Sequence, residues 1–193
     1  VEIFTPAGTI TSATVFTFAP PPLITKATPP ILGTGATLEL EGFGFVAMPE
    51  VRFGNVTTTE VTVSTIRAMS VVVPRSLLPG QYPITVITPG GTTTSSFTVT
   101  IVPAPVASAF TPPSGTTGTI VQIFGRNFTV AAIANVRIAG VTVASFQVIS
   151  DTLIIAETAR ISTAGIVSVT ALGGTSVAPG VFQNIAPPPI ISG

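Results

Sequence analysis

The chain has 193 residues, with seven Lys and Arg against seven Asp and Glu, so its formal net charge is zero. Only 7% of its residues are charged, against roughly 25% in an ordinary soluble domain. That leaves no basic patch to neutralise phosphates, which argues against nucleic-acid binding, and no cluster to dock on anionic lipid. Cys and His are both absent. Their absence removes the ligands of most zinc, copper and iron sites, together with Ser-His-Asp and Cys-His catalysis. Apolar residues make up 46% of the chain, yet Pro, Gly or polar residues interrupt every run well short of the ~18 residues of a spanning helix. No membrane insertion is expected within this chain, and no signal peptide is visible.

In chain order, residues 1 to 18 read as a strand–turn–strand hairpin around Pro6-Ala7-Gly8. Thr37-Leu38-Glu39-Leu40-Glu41 alternates apolar and polar, as a half-buried strand does. Val51-Arg52-Phe53 puts two apolar groups on one face and Arg on the other. Ala68 to Val73 suits a central strand, Ile84-Thr85-Val86-Ile87 is β-branched, and Thr92 to Ile101 follows the turn Pro89-Gly90-Gly91. The same series returns. Thr119 to Phe124, Val136-Arg137-Ile138, Leu153 to Ala156 and Val167 to Thr170 are predicted strands, and Thr175 to Ile185 follows the turn Leu172-Gly173-Gly174. No stretch carries a sustained helical stripe.

The recurrence has a period. Gly35 to Phe45 returns as Gly118 to Phe128, and Thr28-Pro29-Pro30 as Thr111-Pro112-Pro113, both 83 positions on. Gly8-Thr9 returns at Gly91-Thr92 and Gly174-Thr175. Two residues are inserted after Phe128 and lost again near Gly165, so Val51-Arg52-Phe53 meets Val136-Arg137-Ile138 at a step of 85. The expected organisation is a closing hairpin of a preceding or partner-completed unit over 1–20, units over 21–103 and 104–186, and the opening strand of a following unit over 187–193. The junctions Ala19-Pro20-Pro21-Pro22, Val102-Pro103-Ala104-Pro105 and Ala186-Pro187-Pro188-Pro189 are expected to be extended, semi-rigid spacers.

Five features occur in one order. Both units have Pro-Pro-x-x-x-x-Gly, from Pro29 and Pro112, then the Gly35 to Phe45 pattern and its copy. Val51-Arg52-Phe53-Gly54 follows, echoed by Val136-Arg137-Ile138-Ala139-Gly140. Val73-Pro74 precedes Leu78-Pro79-Gly80, and a Gly-Gly-Thr turn with a Phe-containing strand closes the unit. In this order they resemble the IPT/TIG domain. Ala156-Glu157 is taken to replace Val-Pro in the second unit, and Ala139 replaces the first Gly of Val-x-Phe-Gly. The resemblance implies an all-β chain of tandem immunoglobulin-like β-sandwich domains. Among the family's diverse settings, it points to the tandem arrays of microbial surface proteins.

The candidate residues are few. Glu39 and Glu41 share a strand face, but calcium takes six to eight oxygens, usually from a loop with several Asp, and Asp151 is the sole Asp. A solvated strand face is the expectation, as it is for Arg52 and Arg137. No catalytic, cofactor or metal residue is assigned. The sequons at Asn55 and Asn127 are candidate glycosylation sites. Twelve Phe with one Tyr and no Trp suit a core better than a sugar platform, and Ile120, Ile123 and Phe128 are expected to fill the sandwich. Val1, Ile3, Val15, Phe16, Phe18, Ile190 and Ile191 form the candidate strand-exchange segment, because unfinished sandwich edges invite pairing.

The function expected is that of a non-enzymatic structural segment of an extracellular or cell-surface fibre, sheath, stalk or adhesin. Its expected partners are like units of the same protein, with glycans as further candidates and no cofactor. The alternatives are a carbohydrate-binding or spacer module of a secreted polysaccharide-acting enzyme, and a receptor ectodomain.

Overall fold

The structure is a computed structural model and describes residues 2–13, 19–46 and 48–185. Two strands, β1 (Glu2–Thr5) and β2 (Gly8–Thr11), form a hairpin by themselves. Nine strands follow: β3 (Leu23–Thr28), β4 (Ile31–Leu32), β5 (Thr37–Phe43), β6 (Glu50–Phe53), β7 (Val56–Thr58), β8 (Val61–Thr65), β9 (Ala68–Val72), β10 (Gly80–Thr88) and β11 (Gly91–Ile101). They form two sheets, in the orders β3-β5-β9-β8 and β4-β11-β10-β6-β7. All pairs are antiparallel except β4 on β11, which is parallel. Residues of both sheets meet in one core that includes Leu38, Leu40, Phe45, Phe53, Met69, Ile84 and Val86. Each such side chain contributes roughly 1.5–3 kcal/mol by leaving water.

The plan repeats in β12 (Val106–Thr111), β13 (Ser114–Gly115), β14 (Ile120–Arg126), β15 (Ile133–Ile138), β16 (Val141–Thr142), β17 (Ser145–Ser150), β18 (Leu153–Glu157), β19 (Val167–Ala171), β20 (Gly174–Val177) and β21 (Gln183–Asn184). The sheets are β12-β14-β18-β17 and β16-β15-β19-β20, with β13 and β21 paired in parallel as β4 and β11 are. A separate core holds Val121, Ile123, Phe128, Val136, Ile154, Val169 and Phe182. The fold is all-β, made of immunoglobulin-like sandwiches. Cis peptide bonds occur at both Thr28–Pro29 and Thr111–Pro112.

The structure corrects three details. Ile120 does not fill the core: it is 53% exposed, while Val121 and Ile123 are fully buried, because side chains alternate along a strand. The stretch Thr175 to Ile185 is not one strand. It breaks after Val177 at Pro179, which has no N–H to donate, and Gly180, whose φ is 95°.

The third correction concerns the register between units. Gly118 donates to Thr158 O at 2.9 Å as Gly35 donates to Val73 O at 2.8 Å. Thr158 donates to Thr119 O as Val73 donates to Ala36 O. Thr158-Ala159, not Ala156-Glu157, therefore stands where Val73-Pro74 stands, since the two inserted residues still offset the chain there. Ala139 does keep the turn geometry of the glycine it replaces, with φ 53° against 58° at Gly54.

Candidate functional surfaces

The first candidate surface is the β1–β2 hairpin. Its register, Glu2↔Thr11, Ile3↔Ile10, Phe4↔Thr9 and Thr5↔Gly8, reproduces Thr85↔Thr94 to Thr88↔Gly91 and Ser168↔Val177 to Ala171↔Gly174. The turns match as well. Thr5 Oγ1 donates to Gly8 O as Thr88 Oγ1 donates to Gly91 O, and the glycine φ values are 140°, 141° and 136° at Gly8, Gly91 and Gly174. What differs is burial. Val86 and Val169 are fully buried, whereas Ile3, at the matching position, is 60% exposed and its cross-strand neighbour Ile10 is 72% exposed. Val1, Val15, Phe16, Phe18, Ile190 and Ile191 lie outside the described residues.

The two sequons sit in unlike places. Asn55 is exposed on the turn between β6 and β7. Its Thr57 hydroxyl donates to Glu50 Oε1 at 3.4 Å. Asn127 is a corner residue with φ 64°, matching Gly44 at 72°. Its Nδ2 donates to Ala104 O at 3.0 Å, and its backbone N–H donates to Asp151 Oδ2 at 3.1 Å. Thr129 gives Asp151 Oδ1 both its amide and its hydroxyl. These hydrogen bonds, the hydroxyl one foremost, hold the Asp151 carboxyl below its ordinary value. The nitrogen that would carry a sugar at Asn127 is thus engaged in the fold.

The carboxylates and arginines of the strand faces do not converge. Glu41 pairs with Lys26 at 2.9 Å, and Glu39 accepts from Ser70 Oγ at 2.9 Å. Arg52 pairs with Glu50 at 2.6 Å, and this hydrogen bond lowers the Glu50 pKa. Arg137 is exposed on β15, between Thr142 of β16 and Ser168 of β19. Among the described residues no three acidic, Cys or His groups come together to hold a metal.

The same outer sheet face has different chemistry in the two sandwiches. In the first it carries Glu39, Glu41 and Ser70. In the second it forms a shallow depression of about 410 Å³ lined by Ile120, Ser145, Phe146, Gln147, Ile155 and Glu157. Composition had suggested that Phe residues would lie inside, but Phe4, Phe43 and Phe124 are exposed. Arg67 lies over the Phe43 ring at 4.9 Å.

The joints form the last candidate surface, and sequence reading missed their chemistry. A methyl group on Gly90 would run into the carbonyl oxygens of Pro20 and Ala19, and one on Gly173 would run into Pro103 O and the Ala104 nitrogen. Each Gly-Gly turn is therefore seated on the proline-rich connector that leads into its own sandwich. Gly173 also abuts Gly33 of the first sandwich, where an added Cβ would lie 2.6 Å from the Gly173 carbonyl carbon. The signal available was the pairing of a Gly-Gly turn with a Pro-rich connector at one spacing.

Residues 105–184, the second sandwich, match the family model of the IPT/TIG domain. The plexin A4 extracellular region, domains 1 to 10, is similar in fold, with a TM-score of 0.50 and 18% identity over 89% of this chain and 16% of that one. SGBP-B from a complex xyloglucan utilization locus in Bacteroides uniformis aligns with a TM-score of 0.39 and 22% identity, over 84% of this chain and 49% of that one. SGBP-B of the Bacteroides ovatus mixed-linkage glucan utilization locus, in complex with a mixed-linkage heptasaccharide, aligns with a TM-score of 0.39 and 18% identity over 88% and 46%. The chain spans about half the length of these two proteins. A search of curated proteins gives no match.

Proposed function

We propose that the chain is a non-enzymatic structural segment of an extracellular or cell-surface fibre, sheath, stalk or adhesin, built from like units in tandem. The observation that carries this reading is the repeated joint, Gly90 on Pro20 and Gly173 on Pro103. A turn seated on backbone orients each sandwich against its connector, which is the mechanical requirement of a spacer. The charge-poor, Thr-rich exterior supports the reading, because such a surface suits an array covered by neighbours or sugar better than a free monomer. The partners are like units, in the same polypeptide or in another subunit. Protease treatment of intact producing cells tests the location: release of fragments carrying this segment is expected, and full protection until lysis overturns it.

The depression over Ile120, Gln147, Ile155 and Glu157 favours a second reading, a carbohydrate-binding module. An apolar floor rimmed by amide and carboxylate groups is a surface a sugar can use. Specific retention on a glycan array, lost in Gln147→Ala, would replace the spacer reading with this one.

A further inference from the structure

The β1–β2 hairpin is built as the last hairpin of an immunoglobulin-like sandwich, and its core face is uncovered. We infer that the Ile3/Ile10 face docks onto the remaining strands of a preceding immunoglobulin-like unit in the same polypeptide, pairing β1 with a strand equivalent to β6. The inference rests on the tandem reading, but not on where the protein is located.

Two observations define the occupant. The first is register. In the first sandwich β10 is the strand between β11 and β6, with Ile84 opposite Phe53 and Val86 opposite Val51. In the second, β19 is held by β15 in the same way, with Val169 opposite Val136. Ile3 has the place of Val86 and Val169, so its partner is a short strand that turns branched or aromatic side chains into a core and polar ones outward. The second is continuity with an interface already present. The β10–β11 hairpin leads into Pro103, against which Gly173 of the next sandwich packs; β1–β2 leads into Ala19 and Pro20, against which Gly90 packs. In chain order the hairpin therefore precedes the Pro20 joint as β10–β11 precedes the Pro103 joint. That arrangement belongs to successive units of one polypeptide. A second copy of this chain is a poorer occupant, because its β6 and β15 edges are already filled by β10 and β19.

The test extends the whole chain by a copy of residues 22–83 joined ahead of Val1, and follows amide hydrogen exchange in peptides covering residues 2–11. Exchange is expected to slow on the order of a hundred-fold or more relative to the parent chain, as for a strand taken from a sheet edge into a core. Ile3→Glu in the extended protein should restore fast exchange there and leave both existing sandwiches protected. In a second protein residues 85–94 are replaced by the sequence of residues 2–11. The first sandwich should keep its cooperative unfolding transition. Unchanged exchange in the extended protein, or loss of the first sandwich in the replacement, overturns the inference. Protection that appears in the parent chain only as its concentration rises assigns the face to a second copy instead, and also overturns it. Surface location is untouched by any of these outcomes, so the failure of this inference is distinguishable from the failure of the spacer reading.

Discussion

The hydroxyl of Thr158 donates to the carbonyl oxygen of Thr116 at 2.6 Å, from a side chain with no solvent exposure. The Thr119 amide donates to the same hydroxyl at 2.9 Å. One buried oxygen thus satisfies two groups of the loop before β14. The first sandwich has Val73 at this place, which offers its loop no such side-chain bond. Thr158→Val keeps the volume and removes both bonds. It should destabilise the second sandwich by about 0.5–1.5 kcal/mol, the net worth of a typical hydrogen bond, because the Thr119 amide and the Thr116 carbonyl keep the bond they make to each other at 3.2 Å. Chemical denaturation resolved by probes in each sandwich should show the first unchanged.

Asp151 ties the corner of the second sandwich. Its carboxylate accepts from the Asn127 and Thr129 amides and the Thr129 hydroxyl, and its pKa is lowered from an ordinary 3.8. A depressed folded-state pKa adds stability that is present above the unfolded value and lost as pH falls through the folded one. Stability should therefore decline from about pH 4 downward, partly through Asp151. Glu50 in the first sandwich, lowered by Arg52, acts with the same sign. Asp151→Asn should flatten the acid limb for the second sandwich alone, as read by unit-resolved thermal melts between pH 2 and 6, an interval set by roughly two units either side of a carboxylate.

Ala139 and Gly140 occupy the two-residue turn between β15 and β16 with φ values of 53° and 77°. Two positive φ angles define the hairpin turn that favours Asn-Gly or Gly-Gly, and a Cβ at the first position is strained. Ala139→Gly should stabilise the second sandwich by about 1 kcal/mol, and Gly54→Ala should destabilise the first by a similar amount. Equilibrium urea denaturation of the two variants checks the opposite signs.

The central strands were legible because alternation marks them: Leu38 and Leu40 lie inside while Glu39 and Glu41 lie outside. The adjacent pair Ile120-Val121 hid the phase, since both residues are apolar and only contact with the opposite sheet decides between them. The strands β7, β8, β16 and β17 left little trace. Thr57-Thr58-Thr59 looks like a loop until Thr58 is seen buried, its hydroxyl donating to Val72 O at 2.6 Å. Asn127 was legible as a sequon, and the partner that engages its side-chain nitrogen, the Ala104 carbonyl, is 23 residues away. The joints were the least legible. They are contacts of backbone with backbone, and a glycine that makes room for another segment has the same letter as one that only turns a chain.

That backbone character makes the joint testable without disturbing either core. A side chain on Gly173 meets Pro103 O and the Ala104 nitrogen, which cannot swing aside as a flexible side chain could. Gly173→Val must therefore open the joint. Neither core cluster includes Gly173, so the unfolding free energies should move by no more than about 1 kcal/mol, within the usual range for positions outside a core. The orientation of the sandwiches should change much more. Small-angle scattering should show a broader distribution of interatomic distances, and residual dipolar couplings should no longer fit one alignment for both sandwiches. Gly33→Ala faces Gly173 from the other side and should act in the same direction. Because both changes push on the Gly173 backbone, one against Pro103 and one against Gly33, the double variant should fall short of the sum of the two, as coupled neighbours do. An unchanged scattering profile for Gly173→Val would mean that the connector prolines alone set the angle, and that the seating of the turn is incidental.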